Sequence, residues 1–141
     1  MIEPMTERLS VVVERELPHP PEKIWRALTR PHLIEEWLMK NDFKPVVGHR
    51  FNIHRNPKPD LNIVIDCEVL IVEPNKSLSY TWAALDIDGI VTWTLTPTAT
   101  GTHLRVEQSG FRPDQKQARG GATGGWRQIF AKLEQVLVQM D

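Results

Sequence analysis

The side chains whose chemistry could be put to use are few and mostly far apart. The five histidines are His19, His32, His49, His54 and His103. None stands in the His-x-Glu or His-Glu-x-x-His spacing that brings two ligands to one metal, and strand alternation puts His49 and His54 on opposite faces. The single cysteine, Cys67, can form neither a disulfide within the chain nor a cysteine-based zinc cluster. It is in phase with Ile65 and Val69, which predicts an inward, inert thiol. Asp86-Ile87-Asp88-Gly89 begins like a calcium loop but lacks the preceding acidic ligand and the later glutamate, and a strand pattern follows it. Asp88-Gly89 therefore reads as a hairpin turn. Gly120-Gly121-Ala122-Thr123-Gly124-Gly125 has the look of a phosphate loop, but Trp126 stands where a lysine is needed. A flexible gate beside a pocket mouth is the better use of these glycines. Ser109 lacks the Gly-x-Ser-x-Gly context of a strained nucleophile. No metal, cofactor or catalytic residue is expected.

The aromatic residues carry more. Buried indole and phenol groups need polar partners for their N–H and O–H, which suits a partly wet cavity better than an aliphatic core. Phe51, Ile53, Cys67, Tyr80, Trp82, Trp93, Trp126 and Phe130 are the expected cavity lining. Tyr80 and Trp82 lead because they share the inward face of one strand, and plain core packing is the competing reading for each.

Those residues must be positioned by strands and one long helix. Leu9, Val11, Val13 and Leu17 alternate with polar residues, the period of a half-buried strand. Pro21 and Pro31 each open a short helix, with Ile24, Trp25, Ala27 and Leu28 and then Leu33, Ile34, Trp37 and Leu38 as buried sides. From Gly48 onward the period is two. Phe51 and Ile53 share a face, as do Ile63, Ile65, Cys67, Val69 and Ile71. Leu78, Tyr80 and Trp82 follow, then Val91, Trp93 and Leu95, then Leu104 and Val106. Asn56 to Asp60 reads as a hairpin loop and Ser109 to Gly125 as a glycine- and arginine-rich loop. Trp126, Ile129, Phe130, Leu133, Val136, Leu137 and Met140 recur at steps of three and four, a broad helical stripe. Only that helix is long enough to cover the common face of the strands.

The chain of 141 residues has 17 Lys plus Arg against 18 Asp plus Glu. That near-balance argues against a nucleic-acid partner, which needs a basic face. One local excess, Arg112, Lys116, Arg119 and Arg127, reads as solvated loop charge or as an anion-steering rim. No apolar run reaches the ~18–20 residues of a membrane span. Met1 to Leu9 is mixed and acidic, unlike a signal peptide, so a cytoplasmic location is expected. Residues 1–7 read as a disordered lead-in and 8–141 as a single domain.

The motifs Pro21-Glu22-Lys23-Ile24-Trp25-Arg26-Ala27-Leu28-Thr29, Trp37, Val69 to Pro74 and Leu78-Ser79-Tyr80-Thr81-Trp82 stand in a telling order. Val91-Thr92-Trp93-Thr94-Leu95-Thr96-Pro97, Gly101-Thr102-His103-Leu104, Ser109-Gly110-Phe111 and Gly125-Trp126 continue it. In order and spacing they resemble the activator of heat-shock protein 90 ATPase homologue-like family, within the START and birch-pollen-allergen-like helix-grip superfamily (SRPBCC). Pro20 stands where that pattern usually has a serine cap, and Gly48-His49 where a Gly-Gly pair is common. The resemblance implies an α+β helix-grip fold: a curved antiparallel sheet of six to seven strands wrapped around a long C-terminal helix, with two short helices after the first strand. It also implies an apolar cavity for a small molecule.

Three functions follow as expectations. The first is binding of a hydrophobic small molecule between sheet and terminal helix. The second, resting on the family resemblance, is a stress-response, co-chaperone-like interaction with a heat-shock protein 90 ATPase. The third is a cyclase or hydrolase acting on a hydrophobic substrate, which needs a polar side chain with a shifted pKa in the cavity. Exposed strand edges leave a homodimer open.

Overall fold

The computed structural model describes residues 9–58 and 61–140. The expected lead-in, residues 1–7, and the tip of the Asn56–Asp60 loop lie outside the described residues. The elements run β1 (Leu9–Leu17), α1 (Pro21–Thr29), α2 (Pro31–Trp37), β2 (Lys40–Asn41), β3 (Arg50–Lys58), β4 (Leu61–Glu73), β5 (Ser77–Ala84), β6 (Ile87–Pro97), β7 (Thr102–Phe111) and α3 (Lys116–Gln139). The strands form one seven-stranded sheet in the order β1-β7-β6-β5-β4-β3-β2, and every neighbouring pair is antiparallel. This is the helix-grip architecture. Among the described residues no helix is long and apolar enough to cross a membrane.

Proline punctuates the crossing from β1 to β2. Pro21 and Pro31 each sit at the start of a helix, where a missing N–H costs nothing. Arg30 is extended and serves both as the end of α1 and the start of α2. Trp37 locks the two short helices together by donating Nε1–H to the Ala27 carbonyl at 2.8 Å.

The expected inward faces of β1, β3, β5, β6 and β7 are buried except at Leu9; Leu9, and Trp25 and Leu33 on the two short helices, are only partly buried. On β4 the phase breaks. Val69 pairs with Tyr80 and Ile71 with Ser79, so the strand carries an extra residue there. A bulge of this kind shifts the alternation by one. Ile71 is accordingly turned outward and 43% exposed, while Val72 packs on the core.

Two turn assignments are corrected. Asp88-Gly89 lies inside β6, and the chain reverses at Leu85-Asp86, where both residues have positive φ (50° and 69°). Ala84 pairs with Ile87, so the connection is the two-residue hairpin whose twist matches its strands. The second correction concerns Ser109 to Gly125. β7 continues to Phe111 and α3 begins at Lys116, so Gly120, Gly121, Gly124 and Gly125 are helical rather than a loop. Glycine in a helix interior is a cost of about 1 kcal/mol each relative to alanine, not a prohibition. The surrounding Gln, Ala, Arg and Lys are good helix formers.

α3 lies against β1, α1 and α2. Toward the middle of the sheet the interval is spanned by rings. Trp93 touches Trp126, Phe130 and Trp37 at centroid separations of 5.6, 5.9 and 5.6 Å. Trp82 reaches Trp126 at 5.4 Å.

Candidate functional site

Between the first half of α3 and the sheet lies a half-open cavity of about 450 Å³. Ile63 and Ile65 of β4, Trp82 and Ala84 of β5, Ile87 of β6 and Gln108 of β7 supply its sheet wall. Ala118, Gly121, Ala122, Gly125, Trp126 and Ile129 supply the helix wall, and Leu85 of the β5–β6 turn closes one side. Small residues at the start of α3 are what leave the space: at Ala118, Gly121, Ala122 and Gly125 the inward stripe carries a methyl group at most. Where Trp126, Phe130 and Leu133 follow on the same stripe, the interval is filled.

Of the expected lining residues, Trp82 and Trp126 are on the cavity wall. Phe51, Ile53, Cys67, Tyr80, Trp93 and Phe130 belong instead to the packed layer beside it. The reason is their mutual satisfaction. Trp93 Nε1–H donates to the Tyr80 hydroxyl at 2.9 Å. Phe51 lies edge-on to Tyr80 at 5.4 Å and to Phe43 at 5.1 Å, the arrangement ring quadrupoles favour. Burial, followed by the nearby Asp66 and Asp42 carboxylates, pushes the Cys67 thiol up to about 12. Burial likewise raises the Tyr80 phenol, against the bond from Trp93.

The polar element of the wall is Gln108, 4% exposed. Its Oε1 accepts Nε1–H of Trp126 at 2.7 Å, tying β7 to α3 at the back of the cavity. The sequence did carry a signal for it: Gln108 is in phase with Leu104 and Val106 on β7. Ala118, Gly121, Ala122 and Gly125 also show helical spacing with Trp126 and Ile129, masked by their small size and by the glycine count.

The cavity mouth is fastened at one corner. Arg112 reaches Asp86 Oδ2 through Nη2 at 3.1 Å and Asp114 Oδ1 through Nε at 3.2 Å. Gln115 Nε2 donates to the Asp86 carbonyl at 2.9 Å. The two acidic partners hold the Arg112 guanidinium above its ordinary range. The turn carrying Leu85 is thereby joined to the start of α3.

The other chemistry-bearing residues lie elsewhere. His49 stacks on Phe51 and its Nε2 is 2.9 Å from the Asp42 carbonyl. His103 Nε2 meets Glu14 Oε1 at 2.7 Å on the sheet surface. Burial and Lys23 lower His19, against Glu134. Ser109 Oγ donates to the Ile90 carbonyl at 3.4 Å. Among the described residues no three His, Cys, Asp or Glu side chains converge as a metal site.

The chain is similar to solved structures over nearly its whole length. MLL2253 from Mesorhizobium loti shares 65% identity, over 94% of this chain and 99% of that one, with a TM-score of 0.86. BH1534 from Bacillus halodurans shares 26% identity over 92% of this chain and 98% of that one, with a TM-score of 0.77. NE0264 from Nitrosomonas europaea, at 21% identity over 93% and 95% of the two chains, has the same fold with a TM-score of 0.81. No protein of curated function matches the sequence. Residues 18–138 match the family described as Activator of Hsp90 ATPase homolog 1-like protein, and the chain belongs to that family.

Proposed function

We propose that this protein binds a small apolar molecule in the cavity between the first half of α3 and strands β4 to β7. One observation carries the reading: about 450 Å³ of space walled by Trp82, Trp126 and aliphatic side chains, within the size range of small-molecule sites. A packed core fills such an interval, because an unfilled apolar volume forfeits dispersion contacts. Here the filling stops where α3 turns to glycine and alanine.

Among its described residues the wall offers no Asp, Glu, His, Lys, Arg, Cys, Ser or Thr side chain. A cyclase or hydrolase working in this cavity has no acid, base or nucleophile among those residues. The co-chaperone reading rests on the family description alone, and the cavity says nothing for it. The apolar reporter N-phenyl-1-naphthylamine tests the binding reading. It is expected to bind saturably with rising fluorescence, and Ala122→Trp, which projects an indole into the space, is expected to abolish binding while the protein stays folded. Absence of saturable binding, or equal binding by the filled variant, overturns the proposal.

A further inference from the structure

Four of the tryptophans, Trp37, Trp82, Trp93 and Trp126, are buried. Three donate their indole N–H within the protein: Trp37 to Ala27, Trp93 to Tyr80 and Trp126 to Gln108. Trp82 does not. It is 8% exposed and on the cavity wall, and among the described residues nothing accepts its Nε1–H. Its Nε1 is not among the buried unpartnered atoms, so on this wall the N–H is left to water or to an occupant of the cavity.

Gln108 presents the same situation from the other strand. An indole nitrogen can only donate, so the bond from Trp126 fixes the amide with its oxygen toward Trp126 and its nitrogen away from it. Among the described residues no acceptor takes a proton of that Nε2, and Gln108, like Trp82, is on the cavity wall. Trp82 and Gln108 are bridged by Trp126, whose ring contacts the first and whose N–H is bonded to the second.

We infer that the Trp82 indole N–H and the Gln108 amide N–H form a donor pair for one neutral acceptor oxygen, so that the occupant is an apolar molecule bearing a ketone, ester, amide or lactone carbonyl. The inference rests on the binding reading above and adds to it a polar anchor and a ligand class. Among its described residues the wall supplies donors but no cation. A carboxylate there would lose its hydration with no opposite charge to replace it, while a neutral carbonyl exchanges water for two fixed donors. A pure hydrocarbon leaves both donors unpaired, the loss that makes polar-lined sites discriminate.

The test uses three probes of one shape on the full chain: 2-acetylnaphthalene, its hydrocarbon isostere 2-isopropenylnaphthalene, and 2-naphthoate. Calorimetry is expected to show the ketone binding about tenfold or more tighter than the hydrocarbon, with the carboxylate weakest. The Trp82 indole N–H resonance is expected to shift with the ketone and not with the hydrocarbon. Trp82→Phe keeps the ring, and Gln108→Glu keeps an oxygen for Trp126. Each is expected to shrink the ratio of ketone to hydrocarbon affinity several-fold. Equal affinity for ketone and hydrocarbon overturns the donor pair and leaves the cavity reading standing. Tightest binding of 2-naphthoate overturns the neutral-acceptor class. Failure of all three probes to bind overturns this inference together with the binding reading on which it rests.

Discussion

Gly89 on β6 and Gly110 on β7 approach so closely that neither can carry a side chain. A Cβ on Gly89 would fall 1.8 Å from the Ser109 carbonyl oxygen, and one on Gly110 would fall 2.5 Å from the Gly89 Cα. Gly110 also has φ of +99°, a conformation glycine adopts without the steric penalty a Cβ brings. The contact lies just past the last regular β6–β7 pairing at that end, Val91 with Gln108. The obstructing atoms are backbone, so they cannot swing aside as a flexible side chain would. Gly89→Ala is expected to destabilise the protein by at least about 2 kcal/mol, read as a lower urea midpoint. An unchanged midpoint would mean the strands separate there at little cost.

Gly124 behaves oppositely. A Cβ there meets nothing within 4 Å, and the residue sits inside α3 and off the cavity wall. Gly124→Ala is expected to stabilise the fold by about 1 kcal/mol, since alanine is the better helix former and restricts the unfolded chain. Binding of N-phenyl-1-naphthylamine should be unaffected. A thermal-shift assay beside the dye titration checks both halves. A fall in stability would show that this part of the helix needs backbone freedom.

The β5–β6 turn supplies a third test. Arg112 and Gln115 hold Asp86 to the start of α3, and Leu85, 72% exposed, stands at the cavity edge. Ion pairs at this level of exposure add little to global stability. Arg112→Ala is therefore expected to leave the unfolding midpoint unchanged while hydrogen exchange quickens at the amides of Leu85, Asp86 and Ile87. Unchanged exchange would mean the hairpin holds itself, through its own two-residue turn.

The sheet was readable in the sequence because alternation is a strict signal. Val91, Trp93 and Leu95, or Leu104 and Val106, can be inward in only one register, and they are buried. Alternation says nothing of an inserted residue, so the bulge that turns Ile71 outward was hidden. The site was less legible than the fold. Large aromatic residues mark the core whether or not it has a hole, and Tyr80, Trp93 and Phe130 proved to be mutually packed. The hole is made by what is missing, the side chains of Gly121 and Gly125. Glycines in a row read as a loop until α3 is seen to run through them. Gln108 shared its phase with Leu104 and Val106, yet polarity masked it.

Phe130 tests the packed half of α3 against the open half. It is fully buried and touches Trp93, whereas Ile129 is only partly buried and lines the cavity. Phe130→Ala is expected to lower stability by about 3–5 kcal/mol, the range for a truncated core aromatic ring. Ile129→Ala should cost visibly less, because one side of that residue already faces open space. Chemical unfolding of the two variants decides it. Equal losses would mean that the cavity wall is as tightly packed as the core.

The buried thiol gives a pH dependence whose sign is fixed by its environment. Burial raises Cys67 from an ordinary 9.0 to about 12, and it raises the Tyr80 phenol as well. Both groups are neutral when protonated, so the native state holds their protons more tightly than the unfolded chain does. Between about 9 and about 12 the unfolded thiol has ionised and the folded one has not. Unfolding then releases a proton, and stability falls as pH rises. Below that window the thiol leaves stability flat with pH. Native protein is expected to resist thiol reagents at mildly alkaline pH, with labelling limited by the rate of opening rather than by reagent concentration. Cys67→Ala should flatten part of the alkaline loss of stability, leaving the share due to Tyr80. Rapid labelling of the folded protein, proportional to reagent, would mean that the thiolate forms within the native state and that the layer beneath Tyr80 admits water.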